Sequence, residues 1–223
     1  MKTLTSIVAG AAALGIAGTA VAAPKFSGEA FQYATPENRG GTLYEIKAST
    51  SALVGSLEVR LFERARETVG GPTYIPKHFM NNELSLGYED VHALAQARIA
   101  DGKVTPQAGF SYEPAFTLGP ISGKLIVAAT ATVESQPMKE LLVPVALTLP
   151  TTSDQYVSVL VEQVVLADKR DAQGSTHGLV GSSKVHVGYG VGLVTLGVAA
   201  ETDYGTRMAP HPRIGGFVKF TGK

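Results

Sequence analysis

The chain of 223 residues has no cysteine and no tryptophan, and only 7% of it is aromatic. Without cysteine there are neither disulfides nor thiolate metal sites, so stability must come from packing and hydrogen bonding. Neither sign of charge is in excess: 19 Lys and Arg balance 19 Asp and Glu. A nucleic-acid partner asks for a clear basic surplus, and that class is set aside. Beyond the N-terminus no run approaches the roughly 18 apolar residues of a membrane-spanning helix, so the mature chain is either soluble or crosses a membrane as strands. Catalytic signatures are also missing. There is no Gly-x-Ser-x-Gly elbow and no serine with evident His and carboxylate partners, and the 5 histidines lack ligand spacing. The sequence therefore reads as a protein with no catalytic residue, no metal and no cofactor, and not as an enzyme.

What is present begins with a positive start at Lys2, an apolar run from Leu4 to Ala17, and the small-residue stop Ala20-Val21-Ala22. This pattern predicts a cleavable secretory signal over 1–22 and a mature domain over 23–223. An uncleaved anchor over Leu4–Ala23 is the alternative.

Period-two alternation dominates the rest. Leu53, Leu57, Val59 and Leu61 share one face of an extended segment and Ser56, Glu58 and Arg60 the other, while Tyr44, Ile46 and Ala48 oppose Glu45, Lys47 and Ser49. Similar patterns run through Ala108–Phe116, Leu125–Val133 and Val185–Val191, whereas 141–149 and 155–166 are apolar on both faces. About twelve strands are predicted, near 26–34, 42–50, 53–64, 82–88, 91–100, 104–116, 121–133, 140–149, 155–166, 184–192, 195–203 and 214–221, with ten as the alternative count. The stretch 90–103 is dense in helix formers, capped by Asp90 and Gly102, and reads as strand with helix as the rival.

Connections after the even strands are short: Thr50-Ser51-Ala52, Glu89-Asp90, Thr117–Pro120, Pro150–Asp154 and a bend near Leu193. Those after odd strands include the long Ala65–Asn81, Ala167–Ser183 and Tyr204–Arg213. Short turns on one rim and long loops on the other resemble the bacterial outer-membrane β-barrel class, and within it the small porins of about twelve strands. That resemblance covers the whole chain and rests on pattern, not on a motif. It departs from the class at the end, where Phe220 is followed by Thr221-Gly222-Lys223 instead of closing on an aromatic residue.

The fold class expected is thus all-β, an antiparallel up-and-down transmembrane β-barrel, with a soluble β-sandwich as the alternative. Glu45, Lys47, Glu58, Arg60, Arg98, Glu113, Lys124 and Glu162 fall on the polar face and are the predicted lumen-lining residues. In a dry core such charges would be very costly, whereas a wet lumen hydrates them. Glu201 and Lys219 share that face. The function implied is an outer-membrane channel for passive diffusion of small hydrophilic solutes. Outer-membrane lipid, those solutes and the barrel-assembly machinery are its expected partners. A soluble periplasmic or secreted β-sandwich binding protein is the rival. A barrel-borne hydrolase using His177 or His186 with Ser182 or Ser183 comes third. The spaced glycines 188, 190 and 192 read as close backbone approach in a strand, and Val69–His78 as an exposed loop able to fold inward.

Overall fold

A computed structural model describes residues 25–34, 42–54, 56–69, 78–133, 139–167, 180–205 and 208–221. The expected signal over 1–22, its cleavage site, His177 and most of the Val69–His78 loop lie outside the described residues.

The strands are β1 (Lys25–Ala34), β2 (Thr42–Val54), β3 (Leu57–Val69), β4 (His78–Tyr88), β5 (Val91–Ala100), β6 (Lys103–Tyr112), β7 (Ala115–Leu118), β8 (Ile121–Leu125), β9 (Val127–Thr132), β10 (Lys139–Pro150), β11 (Gln155–Ala167), β12 (Val180–Val191), β13 (Val194–Gly205) and β14 (Met208–Thr221). Each pairs antiparallel with its neighbours, and β1 pairs with β14 from Ser27↔Thr221 to Ala34↔Ile214, which closes the wall. β7 continues β6 past Glu113-Pro114, and β9 continues β8 past Ile126. The result is a closed barrel of 12 strands with no helix among the described residues. The Pro114 carbonyl accepts from Leu125 N at 3.1 Å and that of Pro144 from Ile126 N at 2.9 Å, so the break is bridged.

The alternation sorts the side chains inside out relative to a soluble protein. Ile46, Leu86, Phe110, Leu196 and Val198 are exposed outside, while Glu45, Lys184, Glu201 and Arg213 are buried within. A soluble sandwich buries the first set, so the sandwich alternative is overturned by closure and by this inversion.

Residues 91–100 form β5, paired along their length with β4 and β6. Two ladders override the helix propensity of the alanines, whose small side chains face outward. Several boundaries move. β2 runs through Thr50-Ser51-Ala52 to Val54, and β3 continues to Val69, so that Arg66 belongs to a strand instead of a loop. The expected long connection Tyr204–Arg213 shrinks to residues 206–207. Near Leu193 the turn residue is Gly192, whose φ of 58° few other residues tolerate. Glu89-Asp90, Gly119-Pro120, Thr151–Asp154 and Gly192-Leu193 share one rim, the turn rim, with Lys25 and Thr221.

Candidate functional site: charge clusters inside the barrel

Inward residues gather into two clusters because cross-strand partners in an antiparallel sheet project from the same face. The larger lies nearer the rim opposite the turns, and its centre is Glu45 on β2. Arg64 donates to Glu45 Oε2 through Nε at 2.9 Å and Nη2 at 2.6 Å. Arg66 Nε donates to the same oxygen. Lys47 Nζ stands 3.4 Å from Oε1 and Lys184 Nζ 3.9 Å from Oε2. Arg66 then reaches Glu201 on β13, with Nη2 donating to Oε1 at 2.8 Å and Oε2 at 3.1 Å. Lys184 also faces Glu162 at 3.5 Å and Glu201 at 3.7 Å, and Arg213 pairs with Asp203 at 2.5 Å. The side chains of Glu45 and Glu201 are 0% exposed and that of Lys184 1%, so these groups fill the bore at this level.

Beside this cluster stands an aromatic stack. Phe31 lies 5.7 Å from Tyr33 and 4.9 Å from His186, and His186 lies 5.4 Å from Phe217 between ring centres. Lys47 Nζ caps the Phe31 ring at 4.8 Å, and Tyr33 Oη is 3.3 Å from His186 Nε2. Gly188 and Gly197 make the seat for Phe217, since a Cβ on either would come within 2.9 Å or 2.5 Å of its ring.

The second cluster lies near the turn rim. Arg60 on β3 grips Glu113 in a fork, Nη2 to Oε1 at 2.6 Å and Nη1 to Oε2 at 3.0 Å, and its Nε donates to Ser85 Oγ at 3.2 Å. Lys124 Nζ donates to Glu113 Oε2 at 2.8 Å and Ser111 Oγ to Oε1 at 2.7 Å. His92 Nε2 is 4.0 Å from both Glu58 and Glu113. Arg98, two residues from the end of β5 at the rim opposite the turns, pairs with Glu140 on β10, and Gln96 donates to Glu83 at 2.6 Å.

The structure brings Glu45, Lys47 and Glu162 into the first cluster and Glu58, Arg60, Glu113 and Lys124 into the second, and leaves Arg98 with Glu140. Sequence reasoning missed Arg64 and Arg66, although both continue the parity of Glu58 and Arg60. It also missed Glu140, Lys184 and Arg213. The serine and histidine candidates do not converge. Ser183 faces outward, donating to Gln163 at 2.7 Å, whereas His186 is buried inside. Among the described residues no three His, Asp or Glu side chains are set to hold a metal. Chemically, the arrangement offers balanced charge held in cross-bore pairs, buried at one level and partly hydrated at the other, where Lys124 is 42% exposed.

No family model and no curated protein matches the sequence. Solved structures do match in fold. LpxR from Salmonella typhimurium superposes with a TM-score of 0.53 at 8% identity, over 87% of this chain and 99% of that one. The NanC porin gives 0.53 at 9%, over 89% and 99%. An outer-membrane channel from Pseudomonas putida F1 gives 0.53 at 9%, over 92% and 98%. The chain therefore has the outer-membrane β-barrel fold. They also correct the expectation that the chain is not an enzyme, because the barrel fold shared with LpxR does not by itself exclude catalysis. A wall of this kind carries catalysis as well as passage, and at such identities the likeness establishes the fold alone.

Proposed function

We propose that the protein is an outer-membrane channel passing small hydrophilic solutes, with the Glu45–Arg66–Glu201–Lys184 cluster setting its bore. The observation that carries this reading is the interior itself. Charged groups of both signs run from Lys124 and Glu58 near the turn rim to Arg213 and Asp203 near the other, inside a wall with an apolar exterior. A barrel needing only mechanical stability could be filled with apolar side chains at no desolvation cost. Ion pairs, by contrast, can exchange partners with entering water and solute. The porin and channel among the structural neighbours agree with the reading. Equal numbers of opposing charges imply weak ion selectivity.

Planar-bilayer recording tests it. Wild-type protein should give small steps, and the charge-neutral double variant R66A/E201A, which removes side-chain volume from the buried level, should give steps several-fold larger. Silence from both variants in repeated insertions of folded protein would rule the channel out.

A further inference from the structure

The outer face of β3 reads Leu57, Val59, Leu61 and then Glu63, and that of β4 reads Tyr88, Leu86, Leu84 and then Asn82. Glu63 and Asn82 are directly opposed cross-strand partners, so both project outward; Asn82 is exposed and Glu63 half-buried. Glu63 lies six positions beyond Leu57. At about 3.3 Å per residue and a tilt near 45°, that is roughly 14 Å into an apolar band about 25 Å tall. Neither side chain has a hydrogen-bond or ion-pair partner among the described residues. By contrast, Gln163, also on the outer face, is met by Ser183 and Tyr204 of its own chain, and the outward Gln32 sits two residues from the end of β1.

A carboxyl and an amide facing hydrocarbon without partners are expensive. Lipid tails cannot supply the missing hydrogen bonds. The pair is, however, self-complementary, with one member accepting and the other donating. The same row has low relief on both sides: Ala48 and then Gly28 flank Glu63, and Ala97 and then Pro106 flank Asn82. Two walls can approach closely there. A two-fold axis along the membrane normal, passing between the two residues, sets Glu63 of each chain against Asn82 of the other, which is the self-matching geometry of an isologous interface.

We propose that the barrel pairs with a second copy of itself through this β3–β4 face, Glu63 accepting a hydrogen bond from the side-chain amide of Asn82 of the partner subunit. The inference rests on the barrel standing in a membrane, not on its conducting, so it survives a silent bilayer recording. Light scattering of the detergent-solubilised full chain tests it. The wild type should carry the mass of two chains, and Glu63→Leu and Asn82→Leu should each raise the dissociation constant by roughly tenfold. A leucine facing lipid suits the fold, and retained heat-dependent gel mobility checks that the wall is intact.

A second measurement reads the axis directly. With no native cysteine, the single variant Asn82→Cys, beside the proposed axis, should give a covalent dimer in cell envelopes treated with a short bifunctional thiol reagent. A lone cysteine has no partner within its own chain. Val187→Cys, on the outer face of β12, should not cross-link. A wild type that stays single at every protein-to-detergent ratio overturns the proposal. So does a dimer indifferent to Glu63→Leu, or cross-linking at Val187→Cys equal to that at Asn82→Cys.

Discussion

Arg66 and Glu201, 135 positions apart in sequence, meet inside the barrel through two hydrogen bonds from a single guanidinium nitrogen. The same arginine holds Glu45, so one side chain ties β2, β3 and β13 together across the bore. A contact of this kind exists only once the wall is closed.

Glu45 is therefore predicted to be the carboxylate whose loss costs most. Glu45→Gln leaves Arg64, Arg66 and Lys184 facing one another without their shared partner, and removing one member of a buried pair typically costs about 3–5 kcal/mol. Denaturant unfolding in lipid vesicles should show that loss. A drop under about 1 kcal/mol would mean that water already enters this level and screens the cations.

Arg60 and Glu113 allow a charge swap. Arg60→Glu sets two carboxylates together beside Lys124 and should destabilise the barrel, whereas R60E/E113R should recover much of the loss because the forked pair re-forms in reverse. If the double variant is as weak as the sum of its parts, the fork is not what couples β3 to the β6–β7 break.

Inspection of the chain alone recovered the wall but not what it encloses. Alternation such as Leu84-Ser85-Leu86 is local, so strand and facing are visible without knowing any partner. Two errors came from polarity standing in for a turn. Thr50-Ser51-Ala52 resembles a connection but lies within β2, and the stretch from Ala65 resembles the start of a loop because charges crowd Arg64, Arg66 and Glu67, although Arg66 merely keeps the inward parity of Arg60 and Arg64. Who pairs with whom across the bore depends on register and closure. Nothing in the sequence near Arg66 names Glu201, and nothing near Arg98 names Glu140.

Two glycines on the closing seam should respond in opposite ways to a methyl group. A Cβ on Gly215 would sit 1.8 Å from the Gln32 carbonyl oxygen and 2.8 Å from Tyr33 Cα, both backbone atoms that cannot step aside. Gly28 has its nearest neighbour at 3.8 Å. Gly215→Ala should cost about 1–3 kcal/mol and weaken heat-dependent mobility on gels, and Gly28→Ala should be silent. Equal tolerance at both sites would show that the β1–β14 seam is looser than its register implies.

Single cysteines read the facing directly. Ser85→Cys and Ser111→Cys, which point inward, should react with a small water-soluble thiol reagent if solutes reach the turn-side cluster. Leu84→Cys and Phe110→Cys point outward and should react only with a lipid-soluble one, because a thiol in hydrocarbon stays protonated. Labelling of all four by the aqueous reagent would contradict the membrane placement.

The seam between β1 and β14 also governs how the protein comes into being. Ser27 finds Thr221 only after every strand between them exists, so it is β14, the last of the described strands to emerge, that removes both open edges. A chain arrested before β14 keeps two unpaired edges and an apolar outer face, the features that drive sheet-to-sheet aggregation. Maturation is therefore all-or-nothing, and the growing polypeptide needs shielding from water and from its own copies until the final strand docks.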